Sequence, residues 1–456
     1  MERRNGHPPE FTVAEYVTDL ANRHATTGPR YRRWLWVTGL LFLSGIVGFV
    51  ARAAIDGFDE RQPWGYFAAT MAFLLTTFVS APVVAVAFRM AGAHWRRPMV
   101  RIAELYSVVG VLVVVMFIPM LFMVPSAHNR RTMWFQGDTL GSMGKIFGAP
   151  HVYDILSLVA VVIAGLALLW FSAKADRTQI RSRAGESVGT WLGSWKQWNV
   201  LWKGLVMLGG LYFMMLIMTQ ALISIDFSMA LVPGWRDAIF PAQQALASLH
   251  GGLAITILTL YLLRRYGHME QYIHMEHFWA ASKILLALSM LWFYFWWSGF
   301  IVFWYGRTPL EQNLLDLLMF RTYKWYFYLA FGLSFLAPLL TLLWNTVRRS
   351  TFGPTLASVF ILTGLLFDKM RVYVAAFSIP NADITEHALE VLPATNLPDV
   401  LDLMMVVGGI SGAVFLFLLA ARVVPIMSIW EMSQGIKLRT VRRFLRIDMI
   451  VMGRPE

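Results

Sequence analysis

Long apolar runs separated by short polar segments dominate the chain. Each run is about 20 residues or longer, the length that an α-helix needs to cross the hydrocarbon core of a bilayer. The ten runs cover residues 34–54, 64–90, 100–125, 153–173, 199–225, 240–264, 279–304, 323–346, 354–380 and 400–423. This pattern predicts an all-α polytopic membrane protein with about ten transmembrane helices.

The composition supports that class and excludes others. Of 456 residues, 57% are hydrophobic and 14% are charged, which sets aside a water-soluble fold. The net charge of +12 does not indicate a nucleic-acid partner, because the Lys and Arg residues lie between apolar runs, where they set membrane topology. The chain has no cysteine, so we expect no haem attached through thioethers and no iron–sulfur cluster in it.

Positive charge alternates between the two sides of the predicted membrane domain. Basic residues cluster before the first run, after every second run and in the tail, whereas the opposite segments are balanced or acidic. The positive-inside rule then places both termini in the cytoplasm. We predict a cytoplasmic segment 1–33, a transmembrane domain 34–423 and a basic cytoplasmic tail 424–456. Residues 11–24 are predicted to form an amphipathic helix, lying on the membrane or on a partner.

One carboxylate, Asp226, ends an apolar run just before a Pro-Gly turn. A charge near bilayer depth is expensive and usually functional, and the helix dipole disfavours an anion at this end of a helix. The topology brings His128, Arg131 and Asp154 to the same external level. A neutral His and a carboxylate can hydrogen-bond the oxygens of a quinol and accept its protons. Alternatively, the basic segment contacts lipid phosphates and the aspartates cap helices.

A second group of ionisable residues lies inside the predicted spans. Asp368, Lys369 and Arg371 either neutralise one another between helices or provide counter-charges for a site. A proton path and ordinary hydrogen-bonded structure are the alternatives for five residues, Glu104, His250, Lys283, Tyr294 and Asp368.

Two further patterns are interpreted without a cofactor. The run Trp292–Trp304 is typical of an aromatic belt and of helix packing. The spacing of His268, His274 and His277 is similar to that of metal ligands, but these residues lie beside basic residues in a predicted cytoplasmic loop, and no metal site is predicted.

Several motifs occur in a recognisable order. They are Arg101-Ile-Ala-Glu104, His128-Asn-Arg-Arg131, Tyr153-Asp154, Ser224-Ile-Asp226 with Pro233-Gly-Trp235 and Ile239-Phe-Pro241, Trp304-Tyr-Gly306 through Glu311, and Pro425 through Glu431. Over about residues 30–432 the chain resembles the polysulfide-reductase membrane-subunit (NrfD-like) family, and within it the quinol-interacting subunit of alternative complex III. Leu74 and Gln220 depart from that pattern, since the family often has histidine at both places.

The resemblance implies a fold and an activity. It implies ten helices, mostly in two four-helix bundles, and a site for menaquinone or ubiquinone near the external face of a prokaryotic cytoplasmic membrane. In the family, the residues matching His128 and Asp154 are placed at the quinol and the residue matching Asp226 lies nearby. We therefore expect quinone contacts from five residues, His128, Arg131, Asp154, Asp226 and Arg371.

The expected function is that of a quinol-interacting subunit of a respiratory oxidoreductase, possessing no redox centre of its own. The expected partners are an external iron–sulfur subunit, other membrane subunits including a second NrfD-like chain, a cytochrome c or molybdoenzyme subunit, and lipids. Proton translocation is a further expectation. The alternatives are a secondary transporter, which would place the same charges in broken helices of inverted repeats, and a structural anchor of a molybdoenzyme-type complex.

Overall fold

The computed structural model describes residues 13–25, 28–123, 150–183, 191–379, 389, 391–444 and 447–452. The segment with His128 and Arg131 lies outside these ranges, so the part of the site prediction that these two residues carry stays a prediction.

Helices make up most of the described chain. They are α1 (Val13–Ala25), α2 (Pro29–Asp56), α3 (Gly65–Thr77), α4 (Pro82–Met90), α5 (Arg97–Leu105), α6 (Val109–Met120), α7 (Pro150–Arg183), α8 (Trp195–Asp226), α9 (Phe240–Tyr266), α10 (Met275–Gly306), α11 (Pro309–Leu315), α12 (Lys324–Phe331), α13 (Ala337–Leu342), α14 (Asn345–Arg348), α15 (Phe352–Lys369), α16 (Ala375–Phe377), α17 (Val400–Val423) and α18 (Ile429–Leu438). Two antiparallel strands, β1 (Arg439–Phe444) and β2 (Ile447–Met452), form a hairpin in the tail, with Arg439 opposite Met452.

Nine helical segments of the described chain are long and apolar enough to cross a membrane. They are Pro29–Asp56, Gln62–Met90, His94–Met120, His151–Ser182, Trp195–Leu231, Phe240–Tyr266, Met275–Gly306, Lys324–Leu342 and Val400–Val423. Each overlaps a predicted span, which confirms the multi-pass helical membrane class. The remaining predicted span, 354–380, is helix α15 continued by a π-helical turn, Met370–Val374, and α16. The count of ten and the cytoplasmic termini stay predictions.

The spans differ in how far the protein itself buries them. The segment Gln62–Met90 is the most enclosed, whereas Pro29–Asp56 and Met275–Gly306 lie at the periphery. Peripheral α2 packs along α17, and the two helices meet at Gly45 and Gly408, where a Cβ added to Gly408 would lie 2.3 Å from the Cα of Gly45. Exchanging lipid contacts for helix contacts gives no hydrophobic gain, so helices in a membrane associate through close packing. Small residues such as glycine allow the two backbones to approach closely.

The long helices α7 and α8 pack side by side in opposite directions, and α9 returns along α8. The beginning of α7, the end of α8 and the beginning of α9 therefore lie together, at what we call the Asp226 end. Glu104 contacts residues in the last third of α7, roughly 30 Å from Asp154 at 1.5 Å per helical residue. We call this opposite side the Glu104 end.

The predicted amphipathic helix exists as α1, but it docks on the chain itself. Tyr16 packs edge-on against Tyr272, with 4.8 Å between ring centroids. The Tyr272 hydroxyl donates to Asp19, and Arg23 donates to the carbonyl of His268 at 3.1 Å. Helix α1 thus packs on the loop after α9 and on α18.

Candidate functional site

A cavity lies at the Asp226 end. It is enclosed by the segment before α9 and the first turn of α9, by the last third of α10, by α11 with the π-helical turn that follows it, and by the π-helical turn after α15. Most of its lining is aromatic or aliphatic. The polar side chains that line it belong to Trp235, Asp237, Gln243, Trp296 and Arg371. Its volume is about 40 Å³, which holds a few water molecules.

The cavity is rich in hydrogen-bond donors for which the described residues provide no acceptor. Trp235, Gln243 and Trp296 are each less than a tenth exposed. Within the described part of the chain, the indole nitrogens of both tryptophans, Nε2 of Gln243 and Nε of Arg371 have no hydrogen-bond partner. Since a buried polar group without a partner costs about 1–3 kcal/mol, this arrangement indicates a ligand or waters that carry acceptor oxygens.

A π-helical turn places Arg371 at the cavity wall. The preceding helix ends with Asp368 and Lys369, and the chain widens to a π-helix over Met370–Val374, a distortion frequently found at functional sites. Arg371 donates from Nη2 to Oδ1 of Asp368 at 2.7 Å, and Lys369 donates to Oε1 of Gln244 on α9. The three charged residues are buried and anchored by partners on two helices.

Tyr373 connects this turn to Asp154. It lies in electrostatic range of both Asp154 and Asp368. Asp154 is fully buried in the first turns of α7. The Tyr373 hydroxyl therefore lies within reach of the charges of two buried carboxylates that come from different helices.

Asp237 lies at the cavity and caps α9. Its Oδ1 accepts hydrogen bonds from the backbone N–H of Ile239 at 2.8 Å and of Phe240 at 3.1 Å. Its Oδ2 lies 3.4 Å from the position that a Cβ on Gly299 would occupy. Burial raises the pKa of Asp237, while the two backbone donors partly offset that rise. The carboxyl group is thus more easily protonated than an exposed one.

Asp226 is the last residue of α8 and is 1% exposed. The next residue, Phe227, packs on Phe117 with 5.0 Å between ring centroids. Asp226 does not line the cavity described above. Its predicted role as a quinone contact stays a prediction.

Glu104 belongs to a buried ionic network at the opposite end. It accepts hydrogen bonds from Arg89 at 2.8 Å and from the Ser172 hydroxyl at 2.6 Å, and Arg101 lies at 3.7 Å. Arg89 also donates to Glu431 of α18 at 2.8 Å. This network ties the start of the tail to the membrane helices.

The remaining residues of the predicted proton path are dispersed. His250 is buried in α9, with Nε2 2.9 Å from the Ser289 hydroxyl. Lys283 is exposed, with its ammonium 3.5 Å from the ring centroid of Trp279, and Tyr294 is 60% exposed. No hydrogen bond in the described structure joins two members of the predicted path, so that path stays a prediction.

Four polar cavity residues were not among the predicted site residues. Trp235 entered only through a motif, Trp296 was interpreted as part of an aromatic belt, and Asp237 and Gln243 were not singled out. A usable signal was present in the adjacent Gln243 and Gln244 within an apolar span, because amide side chains in membrane helices usually hydrogen-bond across to another group.

Comparison with known proteins gives no assignment. No protein-family model matches the chain, and no curated protein matches it.

Proposed function

We propose that the chain is a quinone-interacting membrane subunit of a respiratory oxidoreductase, with the quinone head group at the cavity of the Asp226 end. The observation that carries the proposal is a set of buried donors on Trp235, Gln243, Trp296 and Arg371 that have no hydrogen-bond partner among the described residues. They line a mostly apolar cavity that also holds the Asp237 carboxyl group. A quinone is an apolar ring with two carbonyl acceptors, and binding sites of this composition suit such ligands.

The residues divide into donors and proton acceptors. Arg371 and the two indoles donate to a ring oxygen, and the charge of Arg371 favours the more electron-rich form of that oxygen. Asp237 at the cavity and Asp154 behind Tyr373 accept the two protons that a quinol releases when it is oxidised. His128 and Arg131, from the segment 124–149, complete the site in this proposal.

The two electrons leave to an iron–sulfur protein that docks at the Asp226 end. The chain has no cysteine, so such a cluster belongs to a partner. In this proposal the chain has ten membrane spans with both termini in the cytoplasm of a prokaryote, and the Asp226 end is external. Proton translocation would start from Asp154 and Asp368.

Entry of a quinone ring requires a conformational change. The cavity of about 40 Å³ is well below the roughly 300 Å³ of a small ligand pocket. Lining aromatic side chains of α10, such as Phe300 and Phe303, have to move outward when the ring binds.

Purification with neighbouring subunits tests the proposal. We expect bound quinone and partner iron in the purified complex. Asp154→Asn should abolish quinol oxidation while leaving the complex assembled and its quinone bound. Iron without quinone would favour a structural anchor, and neither iron nor quinone would favour a transporter; wild-type turnover in the variant would reject Asp154 as a proton acceptor.

A further inference from the structure

A second cavity lies at the Glu104 end, between the last third of α7 and the first turns of α8. Its volume is about 210 Å³. Its lining residues are Phe171, Lys174, Trp191, Lys196, Gln197, Val200 and Leu201. It does not share a residue with the cavity of the Asp226 end, and the proposed quinone chemistry does not use it.

The described charged side chains that line this groove are all basic. Lys174 and Lys196 are exposed on the two helices that form its sides, and none of the described lining residues is acidic. The Lys174 ammonium lies 5.8 Å from the ring centroid of Trp191, and no carboxylate of the described residues lines the groove beside it. The groove therefore attracts an anion.

The apolar side of the groove fits acyl chains. Phe171 is 37% exposed and Val200 is 65% exposed. Each lies nearer to the centre of its helix than the lysine on the same helix. Trp191 stacks edge-on with Trp198, with 5.3 Å between centroids, and Trp198 packs on Trp430 at 5.5 Å. Tryptophans at this density are typical of the head-group level of a bilayer.

We propose that this groove binds one anionic phospholipid, whose phosphate lies between Lys174 and Lys196 and whose acyl chain runs along Phe171 and Val200. Charge complementarity and the apolar strip below the lysines support a lipid over a free anion, since a free phosphate would use only the lysines. Basic pockets between membrane helices on the cytoplasmic side commonly bind acidic head groups.

Native mass spectrometry of the full-length chain in detergent tests this site. The chain is titrated with dioleoyl phosphatidylglycerol and, separately, with dioleoyl phosphatidylcholine. Each basic side chain near an anionic head group contributes enough that removing two should weaken binding about 30-fold. We expect that loss for phosphatidylglycerol in Lys174→Gln/Lys196→Gln, and retention in Lys174→Arg/Lys196→Arg.

The matched control removes two other exposed cations. Arg265 and Lys437 are exposed and do not line the groove, so Arg265→Gln/Lys437→Gln should bind phosphatidylglycerol as the wild type does. Equal binding of the two lipids by the wild type, equal loss in both double variants, or complete displacement of the lipid by millimolar inorganic phosphate would each overturn the proposal.

Discussion

Arg371 donates from Nη2 to Oδ1 of Asp368 at 2.7 Å, and both side chains are buried. The pair spans the beginning of a π-helical turn, which brings the guanidinium group to the cavity wall. The contact neutralises two costly charges, while Nε of Arg371 keeps its hydrogen-bonding capacity for another partner.

The first prediction separates stability from binding at this pair. Asp368→Asn leaves Arg371 without its counter-charge, and breaking one side of a buried ion pair costs about 3–5 kcal/mol. We expect a lower melting temperature in detergent, which the double variant Asp368→Asn/Arg371→Gln partly restores. Although its stability is partly restored, the double variant should not retain quinone, because it lacks the guanidinium group of Arg371. A wild-type quinone content in the double variant would show that Arg371 does not hold the ring.

The second prediction concerns a single indole N–H. Trp296→Phe removes a donor at the cavity that has no acceptor among the described residues, and it keeps the aromatic packing. One hydrogen bond contributes about 1–1.5 kcal/mol, so quinone should bind about tenfold more weakly. Trp292→Phe is the matched control, because the Trp292 indole is also buried and unpartnered among the described residues but does not line the cavity. Equal affinities in the two variants, measured by quinone titration, would contradict the assignment.

The third prediction concerns the ionic network that holds the tail. Glu431 accepts from Arg89 at 2.8 Å, and its other oxygen lies 3.7 Å from Arg96. Glu431→Gln leaves excess buried positive charge and should destabilise the protein by about 3–5 kcal/mol. We expect a lower melting temperature and faster proteolysis within α18. The control Glu270→Gln, at an exposed position, should change neither the melting temperature nor the rate of proteolysis. A Glu431→Gln protein as stable as the wild type would mean that the network is dispensable.

The fourth prediction tests the crossing of α2 and α17. A Cβ at Gly408 would meet the Gly45 backbone at 2.3 Å, and overpacking costs about 1–3 kcal/mol. Gly408→Ala should therefore lower the melting temperature. Gly210→Ala should be neutral or stabilising, since a Cβ there meets no described atom within 4 Å and alanine favours the helix. The melting temperatures of both variants are measured under the same conditions. A wild-type melting temperature in Gly408→Ala would reject the close crossing of α2 and α17.

The fifth prediction is a pH dependence with a defined sign. Burial raises the pKa of Asp237, so the folded state holds its proton more tightly than the unfolded chain. This group stabilises the fold fully below about pH 4, and its contribution is lost as pH rises through the folded pKa. In Asp237→Asn the amide oxygen can still cap α9 and no proton is lost. Its melting temperature should improve relative to the wild type as pH rises from about 4 to about 8.

Asp399 provides the opposite case. Burial would raise its pKa, but the backbone N–H of Asp402 and the guanidinium group of Arg52 outweigh burial and lower it. Its stabilising effect is present above the unfolded value and is lost as pH falls through the folded pKa, so its window lies below about pH 4. Between about pH 4 and about pH 8, the difference in melting temperature between Asp399→Asn and the wild type should stay constant. The corresponding difference for Asp237→Asn should change over the same range. If the two variants showed the same pH dependence of this difference in melting temperature, the assigned pKa directions would be refuted.

The sequence by itself determined the membrane class and nearly every helical span. The length and apolarity of a run are local properties, and a bilayer requires each spanning segment to satisfy its own backbone hydrogen bonds as a helix. The residue pattern likewise singled out Asp226 as a costly charge and Asp154 and Arg371 as candidate site residues, and it predicted α1 but not the surface on which α1 docks.

Only the tertiary structure decided which polar groups meet. Trp235 and Gln243 are close in sequence, but Trp296 and Arg371 come from other helices. In a sequence with 19 tryptophans, nothing local separates an indole that faces lipid from one that faces a cavity. The π-helical turn that places Arg371 at the cavity wall likewise cannot be predicted from the order of the residues. Whether a buried donor has a partner depends on atoms distant in sequence, so the donor-lined cavity at the Asp226 end became visible only when the helices were packed.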